Sequence, residues 1–255
     1  MPRYKAVIAY DGTNFNGFQS QPNGRTVQQE LEKTLKKMNN GRTIQIFGSG
    51  RTDAGVHAEG QVIHFDYPED RPLERIRYAL DTQTPEDISV KSVAKVAEDF
   101  HARYHVVEKT YHFRVDIGKP RSPFRRFYAS YYPYPLELDK IRRALPDLLG
   151  THDFTSFCAS GSSVEDKVRT IYEAKMTVNE QGDELLFTFR GDGFLYKMIR
   201  ILVGTLLKIG NGRMDETSIP AVLAAKDRNL AGPTAHPEGL YLAEVMYEEP
   251  VSQNE

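Results

Sequence analysis

The chain has 255 residues, 27% of them charged and 40% hydrophobic, with a formal net charge of -2. That length suits two modest domains better than one large core, no apolar run approaches the ~18 residues of a membrane span, and the single cysteine, Cys158, excludes an intrachain disulfide and a cysteine-based zinc site. The balanced charge neither requires nor excludes a polyanionic partner, and Met1-Pro2-Arg3-Tyr4-Lys5 leads into a strand without an apolar signal segment, so the expectation is a cytoplasmic protein with no membrane association.

Lys5 to Tyr10 reads as a strand. Thr26 followed by Gln29 forms a capping box, and Val27, Leu31, Leu35 and Met38 make an apolar stripe that stops at Asn39-Asn40-Gly41, which predicts a helix. Two strand-like stretches follow, one with Ile44, Ile46 and Phe47 and the other with Val62, Ile63 and Phe65; then come a helix near Leu73 to Leu80 and a strand near Ile88 to Val96. The order strand, helix, strand, strand, helix, strand is the ferredoxin-like pattern.

In the second half, Lys109, Tyr111, Phe113 and Val115 share one face of a strand, which aims Tyr111 toward a core or pocket. A helix over Asp139 to Leu149 precedes alternating strands at Thr170 to Val178 and Leu185 to Phe189. Helical spacing returns with Leu195, Met198, Ile199, Leu202, Val203 and Leu206, and Leu240 to Tyr247 closes as a strand. The fold class expected is α+β. The domains expected are residues 1–105, residues 106–247 and an acidic flexible tail at 248–255.

The most site-like segment is Gly48-Ser49-Gly50-Arg51-Thr52-Asp53-Ala54-Gly55-Val56-His57, set between two core strands. Glycine tolerates positive φ and close backbone approach, so the loop can hold Asp53 and Arg51 in a geometry that other turn residues would obstruct. Read alone, a Gly/Asp turn of this kind commonly serves only to bond its own backbone. The whole string Arg51 to Phe65 closely resembles the signature of the TruA family of tRNA pseudouridine synthases. Lys109-Thr110-Tyr111-His112-Phe113, Gly150 to Phe157, Arg169-Thr170-Ile171 and Gly193 to Arg200 occur in the family's order and at about its spacing, and the agreement runs from Tyr10-Asp11-Gly12 to Gly239-Leu240-Tyr241-Leu242.

The resemblance implies two ferredoxin-like halves in one continuous, mostly antiparallel sheet, with helices on one face and an RNA-binding cleft on the other. It implies isomerisation of uridine to pseudouridine at positions 38, 39 and 40 of the tRNA anticodon arm, by a homodimer that uses no cofactor. Pseudouridine formation breaks the bond from uracil N1 to ribose and rejoins the ring through C5. A carboxylate can supply the covalent attachment point without redox or metal chemistry. By resemblance that carboxylate is Asp53, whether it attacks C6, attacks C1′ or assists a glycal route. A partly buried carboxylate stays charged most readily beside a cation, and the resemblance assigns that cation to Arg200. The target base must leave its stack at a cost of a few kcal/mol; Tyr111, also by resemblance, is placed to receive it, and base stacking contributes roughly 1–3 kcal/mol.

Arg51 would share a face with Asp53 if the segment were extended, serving either to contact phosphate or displace a base, or to fix the loop through a salt bridge. Lys119, Arg121, Arg125 and Arg126 alternate with Phe124, Phe127, Tyr128, Tyr131, Tyr132 and Tyr134. That mixture suits phosphate contact with base stacking, and it equally suits an aromatic strand with a solvated basic face; Arg121, Arg125 and Arg126 are taken as candidate RNA contacts. His57 and His64 lack a third ligand at a recognisable spacing, so no metal is expected. Cys158 reads as a packed thiol.

Asp81-Thr82-Gln83-Thr84-Pro85, His236 and Phe18 depart from the family's usual residues, which leaves the range of tRNAs open. Two other classes fit parts of the sequence. One is an RNA-binding protein that retains the cleft without catalysis. The other is a nucleotide phosphotransferase, which lacks both a Gly-Lys-Ser/Thr cradle and a second acidic cluster for Mg²⁺.

Overall fold

The computed structural model describes residues 1–248, so most of the expected acidic tail lies outside the described residues. The α+β expectation is borne out: among the described residues there are ten strands, in mixed sheet, and five α-helices. The chain divides into two compact units, one of Met1–Lys109 with residues 242–248, the other of Thr110–Tyr241. The dividing point falls slightly beyond residue 105, and the last strand counts with the first unit because its side chains are fastened there. Tyr247 donates its hydroxyl to the Ala102 carbonyl at 2.6 Å, and Gly60 lies against the Ala243 backbone, where a Cβ would collide with the Ala243 carbonyl oxygen.

In the first unit, β1 (Arg3–Tyr10) pairs antiparallel with β3 (His57–Asp66) and with β4 (Ile88–Val96). The short β2 (Ile46–Gly48) pairs antiparallel with β3 at Phe65, His64 and Ile63, and β10 (Leu240–Tyr247) also neighbours β3. The order β4, β1, β3, β2 is the ferredoxin-like one, reached from the expected chain order of elements. Cross-strand partners Tyr4 and Phe65, Ala6 and Ile63, and Ile8 and Gln61 share one face and are fully buried. Helices α1 (Val27–Met38) and α2 (Leu73–Gln83) add Val27, Leu31, Leu35, Ile76 and Leu80 to the buried set. Both halves of the capping box at Thr26 and Gln29 are made, which satisfies two amide donors that an uncapped helix leaves open.

On the opposite face of the same strands, His64 stacks on Phe47 at 4.9 Å and meets His101 edge-on at 4.7 Å. The Lys5 ammonium lies over Phe100 and Tyr247. The loop at 97–105 therefore covers this part of the sheet, and β3 is buried along nearly its whole length rather than alternately.

In the second unit the strand order is β5 (Val106–Asp116), β9 (Glu184–Gly191), β8 (Val168–Val178) and β7 (Gly150–Asp153), with β6 (Ser130–Tyr131) parallel to β5. Burial along β5 alternates as expected, with Tyr111, Phe113 and Val115 inward. The helix expected over Asp139 to Leu149 is shorter: α3 spans Leu138–Ala144 and continues as a 3-10 turn through Leu148. Pro146 has no amide to donate, so the α-helical ladder cannot continue through it. Helix α4 (Met198–Gly210) packs on α3 and begins later than Leu195, because Lys197 takes the left-handed conformation at φ 58. Strand β7 and helix α5 (Ile219–Ala225) were not expected from the sequence, both being too short to establish a period.

Candidate active site

The Asp53 loop occupies the gap between β2, which ends at Gly48, and β3, which begins at His57. Three glycines let the segment 12–18 press against it. A Cβ on Gly12 would collide with the Val56 carbonyl oxygen, one on Gly17 would lie 2.7 Å from the Thr52 carbonyl oxygen, and one on Gly48 would lie 2.5 Å from the Phe18 ring. Gly17 also has φ +90, a conformation that L side chains rarely adopt. Hydrogen bonds then close the contact. The Phe18 amide donates to the Thr52 carbonyl at 3.1 Å, the Gly55 amide to the Phe15 carbonyl at 3.2 Å, and the Val56 amide to the Asp53 carbonyl at 3.2 Å.

Side chains fix both ends of the loop. The hydroxyls of Thr52 and Tyr10 meet at 2.8 Å in a buried site, and burial pushes the Tyr10 phenol up to about 12, so it stays a neutral hydrogen-bonding group. The Ser49 amide donates to Val62, and its hydroxyl donates to Gln61 Oε1 at 2.5 Å. Gln61 Nε2 donates to the Gly50 carbonyl at 3.1 Å, and Lys109 Nζ to the Ser49 carbonyl at 2.9 Å. Gln61 and Lys109 were not expected as anchors. Their only signal was presence inside the quoted motifs, since nothing in strand periodicity marks a buried Gln as a loop clamp.

Within this frame Thr52 is buried, Asp53 is half-buried and Arg51 is exposed. Residues 49–56 form no strand, so alternation does not apply to Arg51 and Asp53. Among the described residues no carboxylate lies within ion-pair distance of Arg51, and the guanidinium faces solvent rather than locking the loop.

Both histidines have structural duties. His57 is buried, and its Nδ1 accepts from the Gly12 amide at 3.0 Å. His64 Nδ1 accepts from the Ala102 amide at 3.1 Å, and burial pulls its imidazole down to about 4. No group of three or more His, Cys, Asp or Glu side chains among the described residues is arranged to hold a metal ion. No described helix is long and apolar enough to cross a membrane. Cys158 is buried, with its Sγ 3.6 Å from the Ala159 carbonyl oxygen.

In the second unit, Tyr111 on β5 is 9% exposed and meets the edge of Phe194 at 5.2 Å between ring centroids. Phe194 belongs to the quoted Gly193 to Arg200 motif, but its contact with Tyr111 spans 83 residues of chain and no local pattern announces it. Arg200 lies on α4, where every residue except Arg200 and Lys208 is buried. Its Nε donates to the Ala235 carbonyl at 2.8 Å, and the Ala235 amide donates to the Arg200 carbonyl at 3.0 Å. A half-buried arginine on so apolar a helix is unlike the solvated charge of a surface helix, because its stem and one guanidinium nitrogen are held in place.

The basic aromatic segment is divided in use. Arg125 Nη1 lies 3.0 Å from Asp183 and 3.5 Å from Asp116, and its Nε lies 3.7 Å from Glu184. Those carboxylates raise the guanidinium's proton affinity further and tie the segment to the end of β5 and the start of β9. Arg121 is exposed and lies over Tyr131 at 5.4 Å; Arg126 is exposed and lies over Phe127 at 4.1 Å. Phe124 beside them is 87% exposed.

A family model described as tRNA pseudouridine synthase matches residues 6–105 and 144–248. A tRNA pseudouridine synthase A of Streptococcus sanguinis is 62% identical over 249 residues, which is 98% of this chain and 100% of the relative. One of Streptococcus gordonii is 61% identical over the same length and coverage. Among solved structures, a chain of an archaeal box H/ACA Nop10–Cbf5 complex matches over 80% of this chain and 44% of its own, with 13% identity and a TM-score of 0.36, a likeness too slight to bear on fold or function.

Proposed function

The chain belongs to the tRNA pseudouridine synthase family, and on that premise we propose that it converts uridine to pseudouridine at positions 38, 39 and 40 of the anticodon arm, with Asp53 as nucleophile. That it is an isomerase acting on tRNA follows from the family itself. The positions, the nucleophile and the extrusion of the base are the proposal.

The observation that carries it is the construction of the Asp53 loop. Glycine contacts, backbone bonds and side-chain anchors converge on residues 49–56, while the Asp53 side chain stays only half-buried. A loop of ordinary turn function does not need that many constraints. A nucleophile does, because misplacement by about 1 Å costs orders of magnitude in rate. In this reading Tyr111 stacks on the extruded uracil and moves a proton between ring positions, its ring orientation set by Phe194. Arg200 supplies the positive charge that accompanies the carboxylate. Arg51 contacts phosphate or displaces the base, a role supported by its exposure and by the lack of an ion-pair partner among the described residues.

Arg121 over half-buried Tyr131 and Arg126 over exposed Phe127 offer phosphate contact and stacking together, while Arg125 holds that segment in position for RNA. One pocket serving three positions fits recognition of A-form shape and backbone rather than base edges. The motif resemblance extends the proposal to a cytoplasmic homodimer, which light scattering of the purified protein would test.

The test of the substrate is to incubate the protein with unmodified tRNA and map pseudouridine by carbodiimide treatment and reverse transcription. Stops at positions 38 to 40 are expected. Stops confined to the TΨC arm would keep the chemistry and overturn the assigned positions.

A further inference from the structure

Arg228 sits on a 3-10 turn (Arg228–Leu230) and is half-buried, yet no carboxylate among the described residues lies within ion-pair distance of it. Burial is the one influence on its guanidinium, and it lowers the proton affinity. A cation held this way without an anion is costly unless its donors are needed elsewhere. They go to two points of the segment that follows: Nη1 donates to the Gly232 carbonyl at 2.9 Å, and Nη2 to the Thr234 hydroxyl at 3.2 Å.

The same segment is pressed onto α4. The Gly232 amide donates to Thr205 Oγ1 at 2.8 Å, and that hydroxyl donates onward to the Ile201 carbonyl at 2.8 Å. Two glycines allow the approach: a Cβ on Gly232 would lie 2.5 Å from Thr205 Cα, and one on Gly204 would collide with the Pro233 carbonyl oxygen. At its far end the segment reaches Ala235, which grips Arg200 by both its carbonyl and its side chain. The height of residues 231–235 above α4 therefore sets where the Arg200 guanidinium points.

We propose that Arg228 is a positioning residue for Arg200, acting through residues 231–235; this rests on the role given to Arg200 above. Three variants test it, each assayed for tritium release from uracil C5, for tRNA affinity by filter binding and for melting temperature. Arg228→Met removes both bonds to the segment. Gly204→Ala pushes the segment away by its own bulk, and alanine favours the helix intrinsically, so α4 itself is not weakened. Each is expected to lower kcat about 10- to 100-fold, the scale of a displaced catalytic group, while tRNA affinity stays within about twofold.

Arg228→Lys, which keeps a cationic donor of different reach, is expected to recover part of the loss. The inference is overturned if Arg228→Met and Gly204→Ala keep wild-type kcat, or if their losses vanish once activity is counted per folded molecule. Arg200→Gln serves as the reference. Should that variant retain full activity, the role of Arg200 is what has failed, and with it the reason to position it.

Discussion

The two units hold the side chains proposed to act by different means. Asp53 sits on an irregular loop whose conformation exists only because Gly12, Gly17 and Gly48 let neighbouring chain come close. Tyr111 and Arg200 sit on a regular strand and a regular helix, where backbone hydrogen bonds already define direction and only the side chain needs a neighbour: Phe194 for one, Ala235 for the other. A loop can aim a short side chain such as aspartate along a line that neither helix nor strand offers, but every aiming contact is then tertiary. Regular elements aim less freely, but local backbone bonds set their direction.

The largest expected effect separates the roles. Asp53→Asn should reduce tritium release from uracil C5 by about 10⁴-fold or more while tRNA is still bound, and Arg200→Gln by about 10²- to 10³-fold, the scale of removing one electrostatic partner. If Arg200→Gln proved the more damaging, the loop would not carry the chemistry and the comparison would break.

Next comes the fragility of the loop itself. Gly17→Ala forces a Cβ to 2.7 Å from the Thr52 carbonyl oxygen at φ +90, and should destabilise the protein by about 2–3 kcal/mol in chemical denaturation. A smaller loss, about 1–2 kcal/mol, is expected from Tyr10→Phe, which leaves the buried Thr52 hydroxyl without its partner. If either variant were neutral, the contacts around the loop would not be what holds it.

A further effect sharpens the contrast through pH. His64 in the first unit is pulled from an ordinary 6.5 to about 4. The unfolded chain therefore takes up a proton that the folded one refuses, and stability falls as pH drops from 6.5 toward 4. In the second unit, Lys226 and the Thr155 hydroxyl hold Asp153 at about 2, from an ordinary 3.8, so its contribution is lost only as pH falls from 3.8 toward 2. Melting curves against pH should show the first loss before the second. His64→Asn, whose oxygen can accept the Ala102 amide, should flatten the upper one.

Much of the fold was legible because its signals are local. The capping box at Thr26 and Gln29, the alternation along β5 and the order of elements in the first unit all came from neighbours in sequence. Where the reading fell short, either the elements were too short to show a period, as with β7 and α5, or one residue overrode the pattern, as Pro146 shortened α3 and left-handed Lys197 delayed α4.

The site follows the same division. The motifs mark Asp53, Tyr111 and Arg200 as candidates. The partners that fix them, Gln61 and Lys109 around the loop, Phe194 on Tyr111 and Ala235 on Arg200, lie tens of residues away or along strands whose periodicity is silent about hydrogen bonding.

By itself the sequence determined which residue types stand at which spacing, and so the elements, the family and the three side chains of interest. Tertiary structure alone decided that Arg125 would be absorbed by Asp183, Asp116 and Glu184 while Arg121 and Arg126 stay exposed, and that Gly12, Gly17 and Gly204 would be points of close backbone contact. The physical reason is range. Helical and strand periodicity is written over a few residues, whereas the partner of a charge, or the atom that a missing Cβ makes room for, is chosen only when distant segments pack together.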